Sequence, residues 1–249
     1  MKKRIYLFIS LLCLVSALSA QETAYYSPVL QVPCDPQASG AGGFAAPHWH
    51  KSEKYPLIRR AEEVRDLSRL PIEKGFFQLL TNGKDLLVKG VFTDSDIFNE
   101  ATVARYLLDR RGDTVQLCLK PDSTPFYWLL QASPNDLQTC FLILGEGRRD
   151  LAQSRKPCKE ILMTIKNRID KKNNKWEIIM QIPLPLLTEK MEKETGKKIN
   201  SWKFVIQRSN FSRHLRDTEI SGFPQLVRHF YYTLSPSSAW LEFKGAVGK

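Results

Sequence analysis

From Gly75 onward, apolar and polar residues alternate in short runs separated by turn-forming residues. Phe76-Phe77-Gln78-Leu79-Leu80 and the run at 86–92 flank Thr81-Asn82-Gly83-Lys84. Asn-Gly between two apolar runs is the strongest short hairpin signal, because both residues tolerate the positive φ of a tight turn. Further strands are predicted at 114–119, 126–132, 139–144, 161–169, 176–182, 202–208, 229–234 and 239–243, with Lys171-Lys172-Asn173-Asn174 as the turn between the fourth and fifth of these. One helix interrupts the series over 183–195, where Leu184, Leu186, Leu187 and Met191 recur at helical spacing and Gly196 offers a C-cap. Short strands in succession around a single short helix predict an all-β fold, an antiparallel β-sandwich, rather than a parallel α/β sheet.

The two ends of the chain read differently. Lys2, Lys3 and Arg4 precede the apolar stretch at 5–15 and the small residues Ser16-Ala17-Leu18-Ser19-Ala20, the pattern of a cleaved secretory signal that is too short to span a membrane. No Cys stands at the cleavage position, so the mature chain is expected to start at Gln21 without a lipid anchor, in the periplasm or outside the cell. Residues 21–69 read as an irregular extension, rich in Pro, Ser, Gly and Ala as far as 53, and 70–249 as one β-sandwich domain.

Composition narrows the class. With 249 residues, 43% of them hydrophobic and 25% charged, the chain holds a sizeable core and is not intrinsically disordered. Its only long apolar run is at the N-terminus, which excludes a multi-span helical membrane protein. The formal charge of +11 includes the three cations of the signal. The remaining basic residues are interspersed with acids, as in Arg59-Arg60-Ala61-Glu62-Glu63, and read as a solvated surface or a contact for an anionic glycan. Export argues against nucleic acid. Cys34, Cys118, Cys140 and Cys158 remain after signal cleavage. In an oxidising compartment they permit two disulfides in three connectivities, while the strand positions of Cys118 and Cys140 equally suit small buried core residues.

Catalytic motifs are missing. The chain has no G-x-S-x-G, H-E-x-x-H or phosphate-loop motif, and His48-Trp49-His50 reads as a pair of exposed loop histidines. A glycosidase needs two carboxylates flanking one bond; Asp94, Asp96, Glu100, Asp113, Glu146 and Glu219 are candidates that spacing alone does not pair. The Asp94-Ser95-Asp96 loop offers hard oxygen ligands that suit Ca²⁺ better than catalysis. Aromatics such as Tyr127-Trp128, Trp202, Phe223 and Phe230-Tyr231-Tyr232 lie among Arg, Asn, Gln and Ser. Flat rings beside bidentate polar side chains suit sugars, although alternating aromatics in a sandwich also build core.

Taken in order, Phe92-Thr93-Asp94-Ser95-Asp96, Gly112-Asp113-Thr114-Val115-Gln116, Phe126-Tyr127-Trp128, Lys175-Trp176-Glu177-Ile178-Ile179-Met180-Gln181-Ile182-Pro183-Leu184 and Trp202-Lys203-Phe204-Val205-Ile206-Gln207-Arg208-Ser209-Asn210 resemble the motifs of family 9 carbohydrate-binding modules and their DOMON-like relatives. The resemblance covers about 75–243. It implies a jelly-roll-type sandwich that binds a glycan without catalysis, commonly with structural calcium, alongside secreted glycoside hydrolases in polysaccharide catabolism. By position it assigns hydroxyl contacts to Gln116, Gln207, Arg208 and Asn210, a ring or wall to Trp128, and calcium to Asp94 and Asp96. Gln116 stands where the family has Glu, keeping the hydrogen bonds and losing the charge. Arg110 occupies one aromatic-clamp position, with Tyr106 the nearest ring, and the second clamp falls near Phe223. Two other classes remain open: a secreted hydrolase or lyase using one of the acids above, and a DOMON-like haem or redox module with Met163, Met180 or His229 as axial ligand.

Overall fold

A computed structural model describes residues 27–60, 70–104, 107–144, 155–215, 217–225 and 239–244. The export signal, Tyr106, Glu146, His229 and the strand expected at 229–234 lie outside the described residues.

The alternating runs form strands. β1 (Val29–Pro33), β2 (Tyr55–Pro56) and β3 (Ile58–Arg59) precede the hairpin of β4 (Gly75–Thr81) and β5 (Asp85–Thr93). In its turn, Asn82 Oδ1 accepts from the backbone N–H of Lys84 at 3.0 Å and of Asp85 at 2.7 Å, the local bond that makes Asn a turn former. β6 (Thr114–Pro121), β7 (Tyr127–Ala132), β8 (Gln138–Ile143) and β9 (Arg155–Pro157) follow as antiparallel neighbours. β10 (Thr164–Asp170) turns through Asn174, at φ 50°, into β11 (Lys175–Pro183). The helix α1 (Leu184–Thr195) buries Leu187 and Met191 and ends at Gly196, whose φ of 65° is left-handed as its C-cap position requires. β12 (Trp202–Asn210), β13 (Glu219–Phe223) and β14 (Ala239–Lys244) complete the described elements.

These strands make two sheets. The smaller has the order β10-β11-β5-β4-β2, and the larger β1-β14-β12-β6-β7-β8-β9, with β13 also against β12 and β3 against β13. Alternation gives each strand an inner and an outer face. Phe77, Val88 and Trp176 of the small sheet belong to one buried cluster with Leu117, Trp128 and Phe204 of the large sheet. Burying each such side chain contributes about 1.5–3 kcal/mol. The chain is thus a two-layer β-sandwich with one short helix.

The division at residue 70 is corrected by this arrangement. Leu30 and Val32 of β1 are inside the same core, and β1 pairs with β14 in parallel, an exception to the antiparallel pattern. Beyond it, Ala38, Phe44 and Trp49 cover Leu80, Leu87 and Ile179 on the outer face of the small sheet. Gln78 Nε2 secures that cover by donating to the carbonyls of Trp49 at 2.8 Å and Ser52 at 3.0 Å. The small sheet thus has an apolar patch on its outer face as well, and the extension covers it.

Candidate functional site

Of the residues that the family resemblance singled out, those on the large sheet divide between its two faces. On β12, Val205, Gln207 and Ser209 alternate with Phe204, Ile206 and Arg208. Phe204 and Ile206 face the core, whereas Val205 packs in a second cluster with Cys118, Leu129 and Phe141 on the opposite, outer face. Registration then carries one polar row straight across that outer face. Gln207 is opposite Gln116, Gln116 opposite Gln131, and Gln131 opposite Thr139. A parallel apolar row, Val205–Cys118–Leu129–Phe141, runs beside it. Amides beside an apolar strip match the amphipathic surface of a sugar ring.

Hydrogen bonds order the row. Ser209 Oγ accepts from Gln116 Nε2 and from Gln207 Nε2, both at 3.3 Å, and a hydroxyl that accepts twice still carries its own hydrogen. At the other end, Gln131 Oε1 accepts from Thr139 Oγ1 and from the Leu108 N–H, each at 3.0 Å, while Gln131 Nε2 donates to Asp109 Oδ1 at 3.2 Å. The 3₁₀ turn Leu108–Arg110 therefore lies against the row, and Arg110 stands on it exposed to solvent. Gln116 and Gln207 are 0% and 2% exposed, so their amides are internal in this conformation. Sequence reasoning missed Ser209, Gln131 and Thr139; Ser209 lies two residues from Gln207, the spacing that returns a strand to the same face.

Arg208, Asn210, Trp128 and Phe223 are elsewhere, and the expectation that they contact a ligand with Gln116 and Gln207 is corrected. Trp128, 1% exposed, is wedged between the sheets, and its Nε1 has no partner. Phe223 is opposite Ile206 on β12, which assigns it to the inner face. Its ring lies 5.5 Å from Tyr55 and 5.6 Å from Phe77. Arg208 Nη1 donates to the carbonyls of Glu73 at 3.1 Å and Thr93 at 3.0 Å, and Nη2 to Asp94 Oδ2 at 2.8 Å. Asn210 Nδ2 donates to Glu73 Oε2 at 2.5 Å. Strand alternation sends Arg208 and Asn210 inward whenever Gln207 and Ser209 point outward.

The candidate calcium ligands are committed to arginines. Asp94 is paired with Arg208, and Asp96 takes a bidentate contact from Arg213 Nε and Nη2, both at 2.7 Å. Those bonds hold the Asp96 carboxyl down at about 2. Burial pushes Asp94 upward, opposed by the Arg208 charge. Among the described residues no three acidic, His or Cys side chains converge as a metal site, whereas Ca²⁺ takes six to eight oxygens. Asp94 and Asp96 do not fit calcium; guanidinium groups supply the positive charge there.

Two of the other candidate acids, Asp113 and Glu219, are structural acceptors. Asp113 accepts from the N–H of Phe98 at 2.7 Å and of Phe211 at 2.8 Å, tying the loop before β6 to the end of β12. Burial, reinforced by the Asp94 charge, pushes its carboxyl up to about 7. Glu219 receives the N–H groups of Ile72 and Glu73 at 2.7 and 3.1 Å. The proposed haem ligands Met163 and Met180 pack in the inter-sheet core.

No model of a protein family matches the chain, and no curated protein matches it. Solved structures do. A candidate carbohydrate-binding protein from Bacteroides uniformis matches with a TM-score of 0.64 at 11% identity, over 88% of this chain and 100% of its own. A family 9 carbohydrate-binding module from Caldicellulosiruptor kristjanssonii in complex with cellotriose matches at TM-score 0.54 and 12% identity, over 88% of this chain and 94% of the module. The same organism's family 9 module in complex with glucose matches at 0.53 and 14%, over 88% and 96%. This chain has the fold of the family 9 carbohydrate-binding modules. At these identities the likeness is one of backbone architecture. On this sandwich, the outer face of the large sheet carries the amide row.

Proposed function

We propose that the chain is a secreted, non-catalytic carbohydrate-binding protein acting beside glycoside hydrolases in polysaccharide breakdown. The observation that carries this reading is the row Gln207–Gln116–Gln131–Thr139 beside an apolar strip, on a sandwich of the fold that binds cellotriose and glucose in its relatives. On this reading Gln116, Gln207 and Ser209 exchange their mutual hydrogen bonds for sugar hydroxyls, and Arg110 contributes from the rim. The bound sugar displaces the Leu108–Arg110 turn that lies against the row. The N-terminal signal supplies export, and no helix among the described residues is long and apolar enough to cross a membrane.

The test is a glycan array followed by titration calorimetry, beginning with β-1,4-gluco-oligosaccharides. The expected result is saturable binding that Gln207→Ala weakens about tenfold, the worth of one or two hydrogen bonds, with the circular-dichroism spectrum unchanged. Folded protein that stays silent across plant, host and bacterial glycans would overturn the reading. It would mark a sandwich whose buried amide row serves only to hold the sheet together.

A further inference from the structure

β8 and β9 run antiparallel with Ile143 opposite Arg155, Leu142 opposite Lys156 and Phe141 opposite Pro157. One further step along the ladder sets Cys140 opposite Cys158. The Cys158 N–H donates to the Cys140 carbonyl at 2.9 Å, so the register continues through both cysteines. Directly opposed residues of antiparallel strands point to the same face, with Cα atoms about 4.5–5.5 Å apart. That separation is inside the roughly 4.4–6.8 Å range that a disulfide spans. Both side chains belong to the inter-sheet core, and both line the same cavity of about 540 Å³.

We propose that Cys140 and Cys158 form a disulfide when the chain folds in contact with a disulfide oxidant. The other cysteines are placed elsewhere: Cys118 is on the outer face of the large sheet, and the Cys34 backbone pairs with Thr81 of the small sheet, not the sheet that holds β8 and β9. In the reaction one cysteine thiolate attacks the oxidant's S–S bond, forming a mixed disulfide and releasing one oxidant thiolate. The second cysteine thiolate then attacks the protein sulfur of that mixed disulfide and releases the other. Two protein thiols are oxidised, one oxidant disulfide is reduced to two thiols, and the protons pass to solvent and the leaving thiolates.

Burial pushes the thiols of Cys140 and Cys158 upward in the folded chain, which disfavours thiolate there. Exchange therefore belongs to folding, before the edge strand docks, and the same burial later shields the bond from reductants. The structural gain is clear from the topology. Among the described strands, β9 is a three-residue strand at the end of its sheet with one neighbour, and a covalent link fixes it there. The export reading supplies the oxidising environment, but the test does not depend on export.

The experiment is refolding of the reduced, denatured chain in a reduced/oxidised glutathione buffer. Alkylation and peptide mapping follow, with fragmentation to separate Cys118 from Cys140. The expected product is one dithiothreitol-reversible link joining Cys140 to Cys158, with a melting temperature about 6 °C or more above that of the reduced protein. Cys140→Ala and Cys158→Ala each remove the link and the gain, and Cys118→Ala keeps both. Full alkylation of both thiols in chain that has regained its native spectrum would overturn the proposal. A link from either residue to any other cysteine would overturn it too.

Discussion

Arg208 Nη2 donates to Asp94 Oδ2 at 2.8 Å with both side chains buried between the two sheets. Arg208 belongs to β12 of the large sheet, and Asp94 follows β5 of the small one. The same guanidinium reaches the carbonyls of Thr93 and Glu73 and lies 5.0 Å from the Phe92 ring centre. One planar cation thus joins the layers at a point where the resemblance implied calcium.

Removing one partner of such a pair strands a buried charge, at a cost of about 3–5 kcal/mol. Arg208→Met is expected to lower stability by that amount in urea titrations. Arg208→Lys is expected to recover only part of it, because a single ammonium cannot reproduce the planar fork that serves three acceptors.

Trp128 fills the space between the sheets, so Trp128→Ala is expected to cost about 3–5 kcal/mol through the cavity it leaves. Denaturant unfolding checks this. A variant as stable as the parent, with ligand binding abolished, would restore the stacking role that the sequence suggested.

Asp113 titrates near 3.8 when unfolded and is pushed up to about 7 in the fold. Below pH 4 it is protonated in both states and contributes no pH dependence. Between 4 and 7 the folded state holds a proton that the unfolded state has lost, so this group makes stability fall as pH rises. The stability advantage of the parent over Asp113→Asn is therefore expected to be largest near pH 4 and to shrink by pH 8, as read from melting temperatures of the two proteins across that range.

Gly112 has φ 137°, and a Cβ there would stand 2.5 Å from the Phe98 carbonyl oxygen. Backbone cannot yield as a flexible side chain would, and the conformation itself favours glycine. Gly112→Ala is expected to cost about 2 kcal/mol or more in chemical denaturation. It would also loosen the loop that Asp113 ties down.

Much of the architecture was legible because strand and helix periodicity are local. Asn82-Gly83 marked the β4–β5 hairpin, the alternation over 176–182 marked β11, and Gly196 marked the end of α1. The polar motif from Gln207 to Asn210 was legible as chemistry but was read as one site, although a period of two divides it between opposite faces. β1, β9 and β13 went unpredicted because they are only three to five residues long, so their strand identity comes from a neighbour's hydrogen bonds.

By itself, then, the sequence determined the succession of strands, the single helix and the family-like order of motifs, all of which follow from nearest neighbours and short repeats. Tertiary structure decided which face of each strand is dry. It set Trp128 against the second sheet, brought Arg208 to an aspartate 114 positions away, and laid Gln207, Gln116, Gln131 and Thr139 in one row from four strands. Burial and pairing depend on what packs opposite, and that partner comes from a distant part of the chain.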